Sequence, residues 1–147
     1  MGMDERRLIR EGVVTAINEA SMTARVTFED RDALVSSELP ILARGSSSAA
    51  ADYWLPSLED TAVCIFAPND DQSGQGWLLG TRYNEKNPPA KAGGRRVQFA
   101  DGTTIEYVDG ALNISVSGAI NINASGDINI TADGNINIKG KQIHLND

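Results

Sequence analysis

Few side chains in this sequence have the type and spacing that chemistry needs. Among 147 residues there is one His, His144, and one Cys, Cys64. A single imidazole cannot build a multi-histidine metal site within a chain, and a single thiol cannot form an intramolecular disulfide. Cys64 lies in the apolar run TAVCIFAP (61–68), far from His144 in sequence, and so reads as a small core residue rather than a His-activated nucleophile. Asp70-Asp71 is the nearest approach to a carboxylate pair. It sits in the turn cluster PNDDQSGQG (68–76), and acid-base work would need a cleft that nothing else in the chain marks. Asp127 and Asp133 stand in a glycine-bearing repeat, but calcium-binding glycine-rich repeats have a nine-residue period and paired glycines, and this one has neither. Lys91, Arg95 and Arg96 make a small basic cluster in a Pro- and Gly-rich stretch, which reads as solvated linker rather than as a phosphate site. With a formal net charge of −7, binding to a phosphate backbone is not expected, so no nucleic-acid partner is predicted.

The elements that must carry these residues fall into two parts, divided by a gap in positive charge. The chain has 13 Lys and Arg, yet none between Val97 and Ile138. From Gly102 onward, glycines recur at 110, 118, 126 and 134, a spacing of eight. The last three units read GAININAS, GDINITAD and GNINIKGK, after a looser GALNISVS. Leu112, Ile114, Val116, Ile120, Ile122, Ile128, Ile130, Ile136 and Ile138 all stand at even positions, with Asn, Ser or Thr mostly between them. Strict alternation is the period of a half-buried strand. Each unit is therefore expected to be a strand of about five or six residues with a Gly-containing corner. Two isoleucines per unit cannot offset the ordering of eight residues, so each strand needs neighbours that complete its core. At Asp109-Gly110 a two-residue turn would pair Tyr107 with Leu112 and Ile105 with Ile114 on one face. Beyond Gly110 the parity stops flipping, which fits three-residue turns or a chain winding in one sense as a β-prism or β-helix, its even face inward. One chain or several intertwined copies could close such a winding. Near the end the parity breaks: Ile143 and Leu145 are odd, so His144 either takes the inward side or, in a re-registered strand, faces out.

Residues 4–97 hold 14 acidic and 11 basic residues and both Trp. GVVTAIN (12–18) reads as a strand, NEAS as a turn, and MTARVTF (22–28) alternates with Met22, Ala24, Val26 and Phe28 on one face. After the polar turn EDRD (29–32) come short strands around Ala33–Ser36 and Leu39–Leu42, and GSSSAAAD (45–52) has the composition of a flexible loop. TAVCIFAP, apolar on both faces, is the predicted most buried strand, and WLLGTRY (77–83) closes the set. A helical period is visible only at Asp4–Arg10. The predicted fold class is all-β: a small barrel of the oligonucleotide/oligosaccharide-binding (OB) type over 1–90, with a short N-terminal segment at 1–11, then a connector and the repeat. NEKNPPAKAGGRR (84–96) has connector composition; the connector is placed at 91–97 and the rod at 98–147. No apolar run reaches the roughly 18 residues of a membrane span, and the first residues lack the apolar core of a secretory signal, so a soluble, unexported protein is expected.

The motifs RVTFEDRDALVSSELPIL (25–42), YWLPSLEDTAVCIFAPND (53–70), GWLLGTRYNEKNPP (76–89) and VQFADGTTIEY (97–107), followed by the octapeptide tail, cover most of the chain. In them the sequence resembles the phage baseplate assembly protein V family, the central spike of contractile tails and a relative of the spike core of type VI secretion systems. The resemblance implies a barrel that trimerises and docks to a baseplate hub protein. It further implies a homotrimer whose tails form a triple-stranded intertwined β-helix or prism, with the nine even-numbered residues as trimer core. The rod would pierce the host outer membrane mechanically on sheath contraction, without enzymatic activity. The expected location is the tail baseplate of the virion, assembled in the host cytoplasm, with a separate tip protein as a further partner. Some members carry a His-x-His pair near the tip that holds a metal on the axis; here only His144 stands there, so three imidazoles per trimer, completed by water or an anion, would have to hold iron or zinc. The opposing reading makes His144 a tip-surface or core-plug residue.

The alternative function is an OB-fold ligand-binding module, for oligosaccharide or nucleic acid, with a structural β-tail. It would want exposed aromatics on a basic strand face, and the acidic excess over 4–97 argues against that. For a cell-wall hydrolase, no paired catalytic carboxylates in a helical or cleft context are visible.

Overall fold

The computed structural model describes residues 8–67, 75–89 and 94–145. The chain is all-β. Among the described residues there are eleven strands, one 3-10 turn at Glu29–Arg31 and no α-helix, hence none long and apolar enough to cross a membrane. Two compact units follow one another, Met1–Ala92 and Gly93–Asp147.

The first unit contains β1 (Ile9–Asn18), β2 (Thr23–Phe28), β3 (Leu34–Val35), β4 (Leu39–Pro40), β5 (Gly45–Ser46), β6 (Ala51–Asp52), β7 (Thr61–Phe66) and β8 (Gly76–Arg82). Its main sheet runs β3-β2-β1-β7-β8, with β4 also on β2. Just past β4, Ile41 forms a parallel bridge to Leu78, and the Leu42 N–H donates to the Leu78 carbonyl at 3.0 Å. The neighbours β2, β1, β7, β8 and the β4 segment therefore follow one another in a cycle. Inside it lie Val14, Ala24, Val26, Phe28, Leu39, Ile41, Ala62, Cys64, Phe66 and Leu78, all buried. As the alternation of MTARVTF predicts, Ala24, Val26 and Phe28 point inward, with Met22 half-buried before the strand. No residue of β7 is exposed, in line with its two apolar faces. Gly12 permits the closest approach of β1 to β2: a Cβ there would stand 2.5 Å from Val26 Cγ1 and 2.7 Å from the Thr27 carbonyl oxygen.

Three expectations are corrected in this unit. The helical period at Asp4–Arg10 does not produce a helix where it can be followed, since Ile9 and Arg10 belong to β1; residues 4–7 lie outside the described residues, as does Asp70-Asp71. GSSSAAAD is not all loop, because Gly45–Ser46 and Ala51–Asp52 pair as a two-stranded hairpin. Ser47 holds it, its hydroxyl bonding the Ala50 carbonyl at 3.0 Å and accepting from the Ala50 N–H at 2.9 Å. The start of the connector-like stretch is tied down: Asn84 Nδ2 donates to Thr61 Oγ1 at 2.8 Å and Asn87 Nδ2 to Asp60 Oδ1 at 2.8 Å. Lys91 lies outside the described residues.

The second unit opens with an antiparallel meander of β9 (Arg95–Gln98), β10 (Thr104–Val108) and β11 (Ala111–Ser115), in the order β11-β10-β9. Arg95, Arg96 and Val97, placed in the connector by composition, form strand here. Asp109 and Gly110 both take positive φ, 51° and 80°, the backbone of a primed hairpin turn. That turn sets the register read from the sequence, Tyr107 opposite Leu112 and Ile105 opposite Ile114. Beyond Ser115 the expected strands do not form within the chain: among the described residues, 116–145 carry no strand, and every residue from 117 to 145 is exposed. A strand needs a ladder partner for its N–H and C=O groups, and among the described residues 116–145 pair with no strand. The period is nevertheless present in the backbone, which bends at 117–118, 125–126 and 133–134.

Candidate functional site

The meander that opens the second unit carries five large apolar side chains on one face. In the meander, Val97, Ile105 and Ile114 form one cross-strand row, and Tyr107 and Leu112 a second that ends at Arg95. All five apolar members are exposed, from 41% for Ile105 to 65% for Leu112. The opposite face is mostly polar, with Val108 and Ala111 at its turn end. There Arg96, Glu106 and Asn113 share a row; Arg96 Nη1 donates to Glu106 Oε2 at 2.6 Å, with the Glu106 side chain nearly buried, and Arg96 Nε donates to Gln98 Oε1 at 3.2 Å.

The exit from β11 is fastened to the turn between β9 and β10. The Asp101 carboxylate accepts from the Thr103 N–H at 2.9 Å and from its hydroxyl at 3.1 Å, and these bonds hold Asp101 below the usual aspartate range. Ser117 closes the loop, its hydroxyl donating to the Asp101 carbonyl at 2.8 Å and its N–H to Thr103 Oγ1 at 3.2 Å. The chain thus enters the repeat from a fixed point.

Of the nine residues predicted as trimer core, Leu112 and Ile114 lie on β11, Val116 is half-buried just after it, and Ile120, Ile122, Ile128, Ile130, Ile136 and Ile138 are 50–71% exposed. No intra-chain contact gathers them into a core. The repeat glycines have no need within the chain either: Gly118, Gly126 and Gly134 have no left-handed φ, and a Cβ on any of them would meet no atom within 4 Å. His144 is exposed, between Ile143 and Leu145. Among the described residues no three His, Cys, Asp or Glu side chains of one chain come together where a metal ion could sit; the threefold site that the resemblance implies would take its imidazoles from His144 of three copies. Asp127 and Asp133 are exposed and ungathered, and Cys64 is fully buried.

Two features of the first unit escaped the sequence. Arg10 has inward parity on β1 and lays its guanidinium against aromatic rings, with Cζ 4.9 Å from the Phe66 centroid and 5.7 Å from that of Phe28. Leu42, Ala43, Arg44, Asp52, Trp54 and Leu79 line an open cleft of about 320 Å³, and Trp54 Nε1 donates across it to the Leu42 carbonyl at 3.0 Å. No family model matches the chain, and no curated protein matches it.

Proposed function

We propose that this chain is the central spike of a contractile phage tail or phage-tail-like particle, acting as a homotrimer that punctures the host outer membrane mechanically when the sheath contracts. The observation that carries the proposal is the exposure, in the single chain, of the repeat's even-numbered isoleucines from Ile120 to Ile138, each at least half exposed. Large apolar side chains left exposed at this regular spacing mark an association surface. Burying nine such side chains is worth roughly 1.5 to 3 kcal/mol each, an upper bound shared among the chains that bury them. Three copies wound as an intertwined β-helix or prism would pool their faces into one dry core and give each strand the ladder partners it lacks. The Asn, Ser and Thr of the odd positions would face water, and the missing Lys and Arg would keep a narrow rod free of long side chains. The first unit is read as an OB-fold-like barrel, supported by the cyclic strand order and its parallel contact at Ile41–Leu78; it is the mount that docks to a hub protein. The rod's work is mechanical, and no bond is made or broken.

Sedimentation equilibrium tests this directly. The expected mass is three times the chain's 15.7 kDa, and a monomer overturns the proposal. The cleft beside Trp54 favours the alternative, a ligand-binding barrel with a structural tail, which predicts a monomer that retains an oligosaccharide.

A further inference from the structure

The octads are too alike to set their own alignment. GAININAS, GDINITAD and GNINIKGK share the pattern Gly-x-Ile-Asn-Ile, so one copy shifted by eight residues against another still places isoleucine on isoleucine for two units of three. Register is weakly specified wherever the pattern repeats itself. Something without that period has to define it.

The meander Arg95–Ser115 has the required properties. It is ordered within the single chain through two hydrogen-bonded strand pairs, the Arg96–Glu106 ion pair and the Asp101–Thr103–Ser117 bonds. Its apolar face, Val97, Ile105, Tyr107, Leu112 and Ile114, is exposed and does not repeat, since it contains an aromatic and residues of three strands. Two of its members, Leu112 and Ile114, are also the first two of the even-numbered apolar series that runs through the octads. A foreign partner would have to match both the meander and an eight-residue period, whereas a second copy of this chain brings both. The one charge on the face is Arg95, at the end of one row, so identical copies bring like charge together only at that edge, where solvent screens it.

We propose that this face is a self-docking surface: copies of the chain meet first through Val97, Ile105, Tyr107, Leu112 and Ile114, and that contact sets the register in which the octads then wind together. The inference rests on the homotrimer reading and adds to it a site and a sequence of events.

The test uses the full chain with a spin label at Asn129→Cys, Cys64 being buried away from the reagent. The parent protein is expected to sediment as a trimer with one narrow inter-chain distance. Ile105→Asn combined with Tyr107→Ser is expected either to lower the assembled fraction by about tenfold or more at fixed concentration, or to leave trimers with a second distance population from slipped octads. Fluorescence of Trp54 and Trp77, both in the first unit, reports that the barrel is still folded. Asn113→Ser, on the polar face, is expected to keep the single distance. A double variant that remains trimeric with the parent's one narrow distance overturns this inference and leaves the homotrimer standing. A monomeric parent overturns the homotrimer itself.

Discussion

Glu11 on β1 and Arg82 on β8 meet over the outer face of β7, the strand between theirs, through a forked pair of hydrogen bonds: Nε to Oε1 at 2.9 Å and Nη2 to Oε2 at 2.8 Å. The two residues stand opposite Val63 and Thr61 on β7, so the bridge straps three strands side by side. Two parallel bonds fix the guanidinium's plane as well as its distance. Both side chains are about half exposed, so solvent screens the pair and its effect on stability is small.

The Arg82 guanidinium holds the Glu11 carboxyl below the usual glutamate range. A depressed carboxylate contributes its stability above the unfolded value and loses it as the pH falls through the folded one. Urea midpoints of the parent and Glu11→Gln, followed by Trp fluorescence, are expected to differ slightly at pH 7 and to converge as the pH falls below the ordinary glutamate value. A difference that grows on acidification contradicts the assignment.

Ser36 is buried between β3 and β4 and completes the edge of β2: its Oγ accepts from the Val26 N–H at 3.0 Å, its own N–H donates to the Val26 carbonyl at 2.8 Å, and its hydroxyl donates to the Ser37 carbonyl at 2.7 Å. Ser36→Ala takes the side-chain acceptor from a buried N–H and should cost about 1 to 3 kcal/mol. Chemical denaturation of the full chain measures it, and an unchanged midpoint argues that water replaces the hydroxyl.

Burial pushes the Cys64 thiol up to about 11, so almost no thiolate exists at pH 8 and the group is shielded as well. A thiol reagent is expected to leave the native chain unlabelled and to react with one equivalent in urea. Because the folded value is raised, this group's contribution is full at neutral pH and fades as the pH climbs from 9 toward 11. Rapid native labelling at pH 8 would show that β7 opens.

Within the repeat, Ile128 and Asn129 are neighbours of opposite parity. In the proposed trimer, Ile128→Asp sets three carboxylates around one axis and should abolish assembly, while Asn129→Ser should be nearly silent. Light scattering separates the two, and equal behaviour would mean that the even face is not the inner one.

How far the sequence could be read depended on whether the deciding signal was local. Asp109-Gly110 names its own turn type, and with it the register of β10 against β11. The alternation of Ala24, Val26 and Phe28 likewise marks the core side of β2. The hairpin at 45–52 was hidden because Ser and Ala carry no strand signal; what orders it is the Ser47–Ala50 bonding. Arg10 was illegible for a different reason. A cation at an inward position looks like the end of a strand until Phe28 and Phe66, distant in sequence, arrive to receive it. The Glu11–Arg82 bridge joins residues 71 apart, and no spacing rule connects them. In the repeat, parity marks the even-numbered apolar series, but within one chain 116–145 form no strand, because a strand's ladder partners are not a property of local sequence.

The two units also differ in how far apart in the chain their paired strands lie. Closing the first unit requires Ile9 to find Ile65, 56 residues away, whereas β10 and β11 are joined by a two-residue turn and pair Val108 with Ala111. Loop closure makes the long-range pairing the slower event. The meander of a chain therefore pairs sooner than its first unit closes, so in the proposed trimer copies would recognise one another at their second unit before the first has finished folding.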